Sequence, residues 1–571
     1  MFVLRRVLQA FLVLLFLVAA GIYFIWYQLN PSPPDQQVFL NSTVLTMDQE
    51  NSVSEAVLVE QGIIIAVGSE KSVLSQASPE AEHIDLAGKT LLPGFIEAHG
   101  HFPGSGLSAV AADLNSPPIG STLSIKDALN ALKVMSDSTP EGEWIIGFGF
   151  DDTMILEKRF LSKEDLDQVS TEHPVAVLHI SGHMVMINTL GLEIMGITRD
   201  SKDPTGGEIV RDSKGNVTGL LKEKAQDPVV AAALNLSLVR IAEMLQKSQQ
   251  EYLEKGVTTV QSGLTNIDKW KPLAFAARFG FFPQRLVIWP DISMADSILD
   301  GTVETTNSEK LTVGALKLVS DGSIQGYTGF LKEPYHQQEP DRDTDYRGYP
   351  TMTREKLQDI VTRWHASGRQ LAIHANGDAA IDLVIDSVAE AQQQSFRSDP
   401  RHIIVHAQMM TDGQLKKSGA LGLTPSFFPS HIYYWGDRHF NIFMGAKRAE
   451  HISPMRSAEE LDVRFTMHND TPVVPIDPML LVENAVERKT SSGKELGGGQ
   501  KISVESALRA LTIDAAWQVF QEGNRGSIEP GKFADFAILE ENPLTAPGNL
   551  QNIKVAQTWI GEVKWFDRDQ L

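Results

Sequence analysis

The sequence predicts an α/β protein: a (β/α)8 barrel of the TIM type, a small β-sandwich built from both ends of the body, and an N-terminal transmembrane helix. Three observations predict this architecture. The middle of the chain alternates amphipathic helices with short apolar strands, both ends of the body carry short β segments, and a long apolar run lies near the N-terminus. At about 100–200 residues per domain, 571 residues exceed one compact module.

The N-terminal segment favours a membrane anchor. Arg5-Arg6 precede an apolar run from Val7 to Tyr27 that is interrupted by one strongly polar residue, Gln9. At about 1.5 Å per residue, such a helix spans the roughly 30 Å hydrocarbon layer, whereas the apolar region of a signal peptide usually has about 7–15 residues. We expect a retained anchor with the body on the outer, periplasmic or extracellular side. Cleavage after Val18-Ala-Ala20, giving a secreted protein, is the alternative.

A helix, a glycine and an apolar strand follow one another repeatedly in the body. One unit ends at Lys255-Gly256 before Val257-Thr-Thr-Val260, and another passes through Gly368 to Leu371-Ala-Ile-His374. Such alternation requires parallel strands joined by right-handed crossovers. A doubly wound open sheet is the alternative from this pattern alone. The predicted division is anchor and Pro-rich spacer 1–35, sandwich part 36–92, barrel 93–515 with an insertion at about 104–260, and sandwich part 516–571.

Composition and charge exclude several classes of protein. The 42% hydrophobic and 21% charged residues are ordinary globular values. Lys+Arg 50 against Asp+Glu 72 gives a net charge of −22, which repels phosphate backbones, so we expect no nucleic-acid partner. The absence of Cys excludes disulfides, thiolate zinc sites and a Cys nucleophile. A metal ion must therefore be held by His, a carboxylate or a modified Lys.

Residues of metal-ligand type follow several of the apolar runs. In His99-Gly-His101 the two imidazoles lie two residues apart, and on an extended backbone they point the same way. The carboxyl ends of barrel strands converge on one face, so these side chains should meet there. The predicted metal-site residues, in chain order, are His99, His101, Lys317, His374, His406 and Asp470.

Six motifs, taken in order, resemble the amidohydrolase superfamily, and more narrowly its large group that includes N-substituted formamide deformylase. The resemblance covers roughly residues 36–565, and it departs from the usual pattern at Glu97, where Asp is more common. The motifs are Leu92-Pro-Gly-Phe-Ile-Glu-Ala-His-Gly-His101, Lys317-Leu-Val-Ser-Asp-Gly-Ser323, His374-Ala-Asn-Gly-Asp378, His406-Ala-Gln408, His468-Asn-Asp-Thr-Pro472 and Gly526-Ser-Ile-Glu-Pro-Gly-Lys-Phe-Ala-Asp535.

The resemblance implies how the ligands divide. His99 and His101 would hold the more buried ion, and His374 and His406 the more exposed one. Lys317, carboxylated by carbon dioxide, would bridge the two, because a carbamate supplies two oxygens. We expect one or two divalent cations, with zinc as the default because the ligands are nitrogen and oxygen. If Lys317 stays an amine, a single-metal site is favoured.

The implied activity is hydrolysis of a non-peptide carbon–nitrogen bond in a small-molecule amide: N-acyl, formamide, cyclic amide or carbamate. Divalent cations lower the pKa of a water molecule from 15.7 towards neutrality, and Asp470 would accept the proton and deliver it to the departing nitrogen. A mononuclear deaminase is one alternative, and a catalytically inactive binding or regulatory protein on the same fold is another. The oligomeric state is open, with a homodimer among the options.

Two further segments are candidates for substrate contact. His183 lies in the predicted insertion, and we expect it to face the substrate and polarise its carbonyl; the alternative is a packed structural His beside Asn188. The aromatic segment after His406 includes His431, Tyr434 and Trp435, which are predicted to form an apolar wall of the pocket. Filling of the core behind the loop is the alternative for these rings.

Overall fold

The computed structural model describes residues 35–136, 139–305, 307–338, 344–546 and 548–570. The predicted transmembrane helix, Val7 to Tyr27, lies outside these residues. Within the described ranges, no single helix is long and apolar enough to cross a membrane. One pair of helices, Asp227–Ala233 and Leu238–Glu254, bent by 99°, meets that requirement together by length and composition only.

The strands are numbered along the chain. They are β1 Gln36–Leu40, β2 Thr43–Leu45, β3 Val53–Ser54, β4 Ala56–Glu60, β5 Ile63–Gly68, β6 Glu82–Asp85, β7 Thr90–Pro93, β8 Phe95–Ile96, β9 Ala112–Asp113, β10 Ile145–Phe150, β11 Val175–His179, β12 Met184–Ile187, β13 Gly207–Arg211, β14 Val217–Glu223, β15 Val257–Thr265, β16 Arg285–Pro290, β17 Leu311–Val313, β18 Leu316–Val319, β19 Leu371–Ala375, β20 His402–His406, β21 Leu423–Phe427, β22 Thr466–Met467, β23 Phe536–Leu539, β24 Val555–Ile560 and β25 Val563–Asp567.

The α-helices are numbered in the same way. They are α1 Glu70–Leu74, α2 Ile125–Ser136, α3 Lys163–Asp167, α4 Thr189–Ile194, α5 Asp227–Ala233, α6 Leu238–Glu254, α7 Ile267–Arg278, α8 Ile292–Leu299, α9 Arg354–Ala366, α10 Asp378–Gln394, α11 Asp412–Leu421, α12 Ser430–Arg438, α13 Ala446–Ala449, α14 Met455–Glu460, α15 Pro478–Glu487, α16 Val504–Ala510 and α17 Ile513–Gln518.

Two all-parallel sheets occupy the centre of the α/β fold. Their strand orders are β17-β16-β15-β8 and β18-β19-β20-β21-β22. The order follows the chain without the reversal that characterises a doubly wound sheet. Only Gly314 and Ala315 separate β17 from β18, and after β22 and β8 the His101 amide donates to the Thr471 carbonyl at 2.9 Å. The predicted parallel strand pairing is confirmed in both sheets.

The helix and strand around Gly368 form as predicted. Thr353 caps α9, its side chain accepting from the Lys356 amide, and the helix buries an apolar face. Gly368 has φ +79°, a left-handed conformation that glycine adopts without steric cost, and it turns the chain towards β19. The buried face of α9 consists of Leu357, Ile360, Val361, Trp364 and His365.

Two further sheets join the two ends of the described chain. Their orders are β5-β4-β1-β6 and β25-β24-β23-β7-β2-β3, and β23 pairs antiparallel with β7. The two sheets share an apolar cluster that includes Phe39, Val57, Phe536, Ile538 and Trp559. Strands 36–93 and 536–567 are therefore part of one packed unit, whereas the predicted domain boundaries stay a prediction.

A six-stranded sheet lies in the chain segment between β8 and β15. Its order is β13-β14-β12-β11-β10-β9, in which β12 pairs antiparallel with both β11 and β14. The register places Met184 opposite Lys222, and the amide of Glu223 donates to the carbonyl of His183 at 2.8 Å. This pairing fixes His183 and Glu223 side by side.

A buried ion pair links the parallel strands to the terminal sheets. Arg285, at the start of β16, donates from Nε and Nη2 to the two carboxylate oxygens of Asp535 at 2.6 and 3.0 Å. Both side chains are buried, and the amide of Gly561 also donates to Asp535. Burial acts to raise the pKa of Asp535, but Arg285 and Arg525 hold it below its ordinary value.

We predict that Asp535→Ala destabilises the protein by about 3–5 kcal/mol, because it leaves the Arg285 guanidinium buried without its partner. Chemical denaturation at pH 7 measures this. The stabilising effect of an Asp with a lowered folded pKa is present above its unfolded pKa of about 3.9 and is lost as the pH falls through the folded value, so the difference should shrink in acid. Asp386→Ala, which breaks the exposed pair with Arg354, is the control and should cost within about 1 kcal/mol.

Candidate metal centre

Three of the predicted ligands surround the carboxylate of Asp470. Its Oδ1 lies 3.2 Å from His101 Nε2 and 3.4 Å from His99 Nε2. Lys317 Nζ lies 3.0 Å from the same His99 Nε2. One small volume therefore contains two imidazoles, one amine and one carboxylate.

His374 and His406 complete the same cluster. Their ring centroids are 4.6 Å apart, and His406 lies 5.8 Å from His99. His406 Nε2 is 3.9 Å from Asp470 Oδ2, so the two carboxylate oxygens face different imidazoles. The structure thus brings all six predicted metal-site residues together, although their roles as ligands stay a prediction.

The six side chains share a position relative to the strands. Lys317, His374 and His406 lie in β18, β19 and β20, while His99 and His101 follow β8 and Asp470 follows β22. Neighbouring parallel strands in register present their carboxyl ends at one edge, which explains the convergence. His406 and Asp470 have φ values of +70° and +56°, conformations that cost non-glycine residues energy and are found mainly at functional sites.

The imidazoles of His99 and His101 each contact an oxygen atom of a β15 residue through Nδ1. His99 Nδ1 lies 3.1 Å from Gln261 Oε1, and His101 Nδ1 lies 3.2 Å from the carbonyl oxygen of Gly263. An oxygen at Nδ1 accepts its proton and leaves Nε2 free to bind a metal ion. Gln261 and Gly263 therefore orient both rings towards Asp470.

The other two imidazoles have partners of different chemistry. His374 Nδ1 lies 3.1 Å from Asp321 Oδ1, while His406 Nδ1 lies 3.1 Å from His468 Nε2. Asp321 also accepts from the amides of Asn376 and Gly377, which ties the loop after β19 to the same carboxylate. These contacts fix both rings, with His406 Nε2 on the side of Asp470 and His374 Nε2 3.2 Å from the side-chain nitrogen of Asn376.

Close packing around His99 leaves no room beside Gly263. The indole of Trp289 stacks on the imidazole of His99 at 5.2 Å between centroids and 9° between planes. A Cβ added to Gly263 would lie 2.8 Å from His99 Cε1 and 3.3 Å from His101 Cε1. Glycine at this position is therefore a steric requirement for both rings.

Electrostatics favour the neutral forms of the nitrogen groups. Burial lowers the pKa of His99 and of His406, and the neighbouring Lys317 lowers both further. Burial also lowers the pKa of Lys317 to about 7. For Asp470 burial acts in the opposite direction, but His101, His468 and Lys317 hold its pKa below the ordinary value. Burial thus favours the neutral forms of His99, His406 and Lys317, while Asp470 stays a carboxylate.

These residues fit a divalent cation. Asp470 Oδ1 is buried and, among the described residues, accepts no hydrogen bond of good geometry. The ligand atoms of His99, His101 and Asp470 all lie within 4.8 Å of one another. Neutral imidazoles and a carboxylate without thiolate form a set that binds zinc well, while manganese and iron also accept it. A bound cation would satisfy the carboxylate oxygen that is otherwise left without a partner.

Glu97 has a supporting contact with this cluster. Its carboxylate accepts hydrogen bonds from the backbone amide and side chain of Asn469, at 2.8 and 3.0 Å, directly before Asp470. Burial raises the pKa of Glu97 to about 8. The residue at which the sequence departs from the usual Asp therefore positions the loop that carries Asp470.

His183 lies at the cavity beside the cluster. Its Nδ1 is 2.9 Å from Glu223 Oε2, and its ring centroid is 5.1 Å from that of His374. Burial acts to lower the pKa of His183, but the charges of Glu223, Asp321 and Asp470 raise it above its usual value. Asn188, in contrast, caps α4 and bonds to backbone groups. The position suits substrate contact, and the role of His183 stays a prediction.

A cavity of about 470 Å³ opens above the cluster. His183 and all six predicted metal-site residues line it. This volume falls within the roughly 300–1,000 Å³ of small-molecule sites. The same cavity therefore provides both the ligands and the space for a substrate.

The aromatic segment takes a different position from the predicted one. Tyr434 and Trp435 lie outside this cavity, because α12 directs the Trp435 ring into an apolar cluster with Ile180, Phe428 and Val474. His431 is closer, with its ring 6.2 Å from that of His406, and is itself buried. The expectation that Tyr434 and Trp435 form the pocket wall is corrected, since other side chains supply it.

A second group of ligand-type residues lies at the ends of β10 and β11, in the six-stranded sheet between β8 and β15. Oxygens of Asp151 and Asp152 and a nitrogen of His179 lie within 4.8 Å of one another. Asp151 is paired with Arg438 at 2.8 Å, and His179 Nε2 contacts Asp152 at 3.1 Å. The Arg438 guanidinium neutralises Asp151, so this group joins the sheet to α12.

The sequence analysis did not assign the residues that orient the ligands. Asp321 and His468 lie inside two of the six motifs and Glu223 lies in none of them, and the contacts of all three depend on the fold. Gln261 carried a signal, as a long polar side chain directly after the β-branched run Val257-Thr-Thr-Val260. Gly263 carried none that could be separated from an ordinary loop glycine.

The model of the family described as "Amidohydrolase family" matches residues 82–563. The chain is 29% identical to N-substituted formamide deformylase of Arthrobacter pascens, over 93% of this chain and 98% of that one. It is 30% identical to the putative amidohydrolase YtcJ of Bacillus subtilis, over 90% and 97%. An uncharacterized metal-dependent hydrolase of Pyrococcus horikoshii has a similar fold, with a TM-score of 0.72, 24% identity and coverage of 90% and 98%.

We predict that Gly263→Ala weakens zinc binding at least tenfold, because the new methyl group displaces the rings of His99 and His101 from their outer partners. Calorimetric titration of the metal-free protein with zinc measures this. Gly413→Ala is the matched control: nothing lies within 4 Å of a Cβ added there, so its zinc affinity should equal that of the original protein. Equal affinity in both variants would contradict the assigned cluster.

Proposed function

The chain belongs to the amidohydrolase family, and we propose that it is a metal-dependent hydrolase acting on a non-peptide carbon–nitrogen bond. The candidate bonds are N-acyl, formamide, cyclic amide and carbamate. The observation that carries this proposal is the convergence of four imidazoles, one amine and one carboxylate at the floor of a single cavity. The relative from Arthrobacter pascens, whose name specifies an N-substituted formamide, supports the amide class.

We infer that the two parallel sheets are the two parts of one closed barrel. Counting β17 and β18 as one interrupted strand gives eight parallel strands in chain order. The Gly314 amide donates to the Ile288 carbonyl on one side, and the His101 amide donates to the Thr471 carbonyl on the other. Closure explains why residues 99 and 470, far apart in the chain, are neighbours.

The residues that would hold the metal are His99, His101 and Asp470, with His374, His406 and Lys317 available for a second ion. When bound, a divalent cation lowers the pKa of water towards neutrality and polarises a carbonyl. Asp470 is ionised at neutral pH because its pKa is lowered, so it can accept a proton. Its position at the cavity floor lets the same carboxylate return that proton to the departing nitrogen.

His183 would orient the substrate from the cavity wall. The ion pair with Glu223 favours the charged imidazolium and directs its other nitrogen away from Glu223. A fixed positive donor beside the cluster stabilises negative charge developing on a carbonyl oxygen. The ring of His431 lies 6.2 Å from that of His406. A substrate contact for His431 is part of the same proposal.

Lys317 has the properties that carboxylation requires. Carbon dioxide reacts with a neutral amine, and a pKa near 7 leaves about half of the side chain neutral at pH 7. A carbamate at this place would convert a nitrogen donor into two oxygens facing both pairs of imidazoles.

For the whole protein we propose an anchored body on the outer side of a membrane, on the basis of the N-terminal run alone.

We predict that the protein, stripped of metal and reloaded with zinc, hydrolyses members of a library of N-acyl, N-formyl and cyclic amides, and that the stripped form does not. Asp470→Ala should lower kcat about 10²–10⁴-fold, the usual contribution of a positioned proton-transfer group. Steady-state assays of amine release measure both effects.

Asp386→Ala provides the control, since Asp386 is an exposed carboxylate paired with Arg354 outside the cavity. Full turnover by Asp470→Ala would exclude the assigned proton transfer. One metal ion per chain together with deamination of an amino-substituted ring would instead favour the deaminase.

We predict that Lys317 carries a carbamate in the metal-loaded protein. Equilibration with ¹³C-labelled carbon dioxide should give a protein-bound carbamate carbon signal by NMR, and Lys317→Arg should abolish it because a guanidinium stays protonated. Lys356→Arg, at an exposed lysine on α9 outside the cavity, is the control and should keep the signal. A signal in all three proteins would place the label elsewhere.

A further inference from the structure

The cavity above the metal centre has two chemically different parts of its wall. One part, at the end of β14, is polar: it contains Glu223 and Gln226, and Lys224 paired with Asp227 at 3.0 Å. The other part is mainly aliphatic. It is formed by side chains of α6 and α7 and of the segment before α6, including Leu236, Ile241, Met244, Leu245, Leu273 and Ala276.

We propose that this aliphatic wall binds the long apolar chain of an amphiphilic amide, with the substrate's polar part at the β14 end. The inference rests on the proposed function and names the substrate class for that site. A small formamide would leave most of this wall in contact with water. Because burial of apolar surface contributes roughly 25 cal/mol per Å², a substrate that covers the wall should bind more tightly. An alkyl or aryl-alkyl chain covers it.

The composition of the wall favours a flexible chain of variable length. Leucine, isoleucine and methionine side chains dominate it, and methionine adapts its shape to irregular apolar partners. Trp435, the largest ring of the aromatic segment, is buried elsewhere. The part of the wall formed by α6, α7 and the segment before α6 therefore offers aliphatic contacts, whereas the aromatic rings that line the cavity, Phe102 and Phe148, lie on other elements.

The apolar surface continues outwards from the cavity. Leu238 lies one helical turn before Ile241 on α6, on the same face, and 83% of its surface is exposed. On α7, Phe275 lies three residues after the cavity residue Pro272, at a neighbouring position on the helix surface; it is 55% exposed, and its ring lies 4.5 Å from that of Phe279. Exposed apolar patches beside a cavity are typical of binding sites. A chain longer than the cavity would still contact apolar side chains at its mouth.

The test uses two series with the zinc-loaded protein. In one, anilides carry acyl groups from formyl to decanoyl; in the other, formamides carry N-alkyl groups from methyl to decyl. Each buried methylene contributes about 0.8 kcal/mol, so kcat/KM should rise about fourfold per methylene in the series whose chain enters the aliphatic part. The two arms distinguish the acyl side from the amine side.

Ile241→Gln should reduce this gain, lowering kcat/KM for the longest chains about tenfold more than for the shortest. Ile241 is partly exposed, so the fold tolerates the change. Ile194→Gln is the matched control, since Ile194 is exposed on α4 and lies outside the cavity; it should retain the original dependence on length.

Calorimetric titration with the same compounds measures binding separately from turnover. Hydrolysis with no dependence on chain length in either series overturns the inference and leaves the proposed function intact. Binding that tightens with chain length in the absence of hydrolysis supports the inference and overturns the proposed function. A length dependence unchanged by Ile241→Gln places the chain elsewhere and overturns the inference as well.

Discussion

Desolvation is the constraint on which this structure depends: three of the four imidazoles and the one amine are buried around a single carboxylate. Protonated, these groups would repel one another in a medium that solvates charge poorly, so the folded state favours their neutral forms. Neutral imidazole and neutral amine are also the forms that bind cations or react with carbon dioxide. Burial therefore has two effects. It disfavours the protonated forms of these groups, and it favours the neutral forms that can coordinate a cation.

The fold meets this constraint with fixed partners behind the ligands. Gln261, Gly263 and Asp321 each place an oxygen at the Nδ1 atom of a predicted ligand, and in His99 and His101 the other ring nitrogen faces Asp470. Glu97, which is buried, accepts a hydrogen bond from the side chain of Asn469, the residue before Asp470. This contact fixes the position of Asp470. The rigid parallel strands supply position, and these partners supply orientation, which strands alone do not determine for a ring that rotates about its side-chain bonds.

Features of this site that depend on neighbouring residues in the chain can be predicted from the sequence, whereas features that depend on residues far apart in the chain cannot. His99 and His101 are two residues apart, and Lys317, His374 and His406 each follow an apolar run, so local pattern and the geometry of parallel strands suffice for their convergence. Gln261 lies 162 residues from His99, and nothing in the local sequence links them. The aromatic segment was misplaced for a related reason: its composition suits either a pocket wall or a core, and the direction of α12 decides between them.

The same distinction separates the chemistry of the cavity from its selectivity. The ligands belong to parallel strands, where a shift of one residue would turn every side chain to the other face, so their positions tolerate little change. The aliphatic part of the cavity wall belongs to α6, α7 and the segment before α6, and none of its side chains is among the six predicted metal-site residues. Because α6 also packs against the segment after His101, where Ser105 and Ser248 bond at 2.8 Å, we expect substitutions confined to the cavity-facing aliphatic side chains to alter substrate preference more than they alter the cluster.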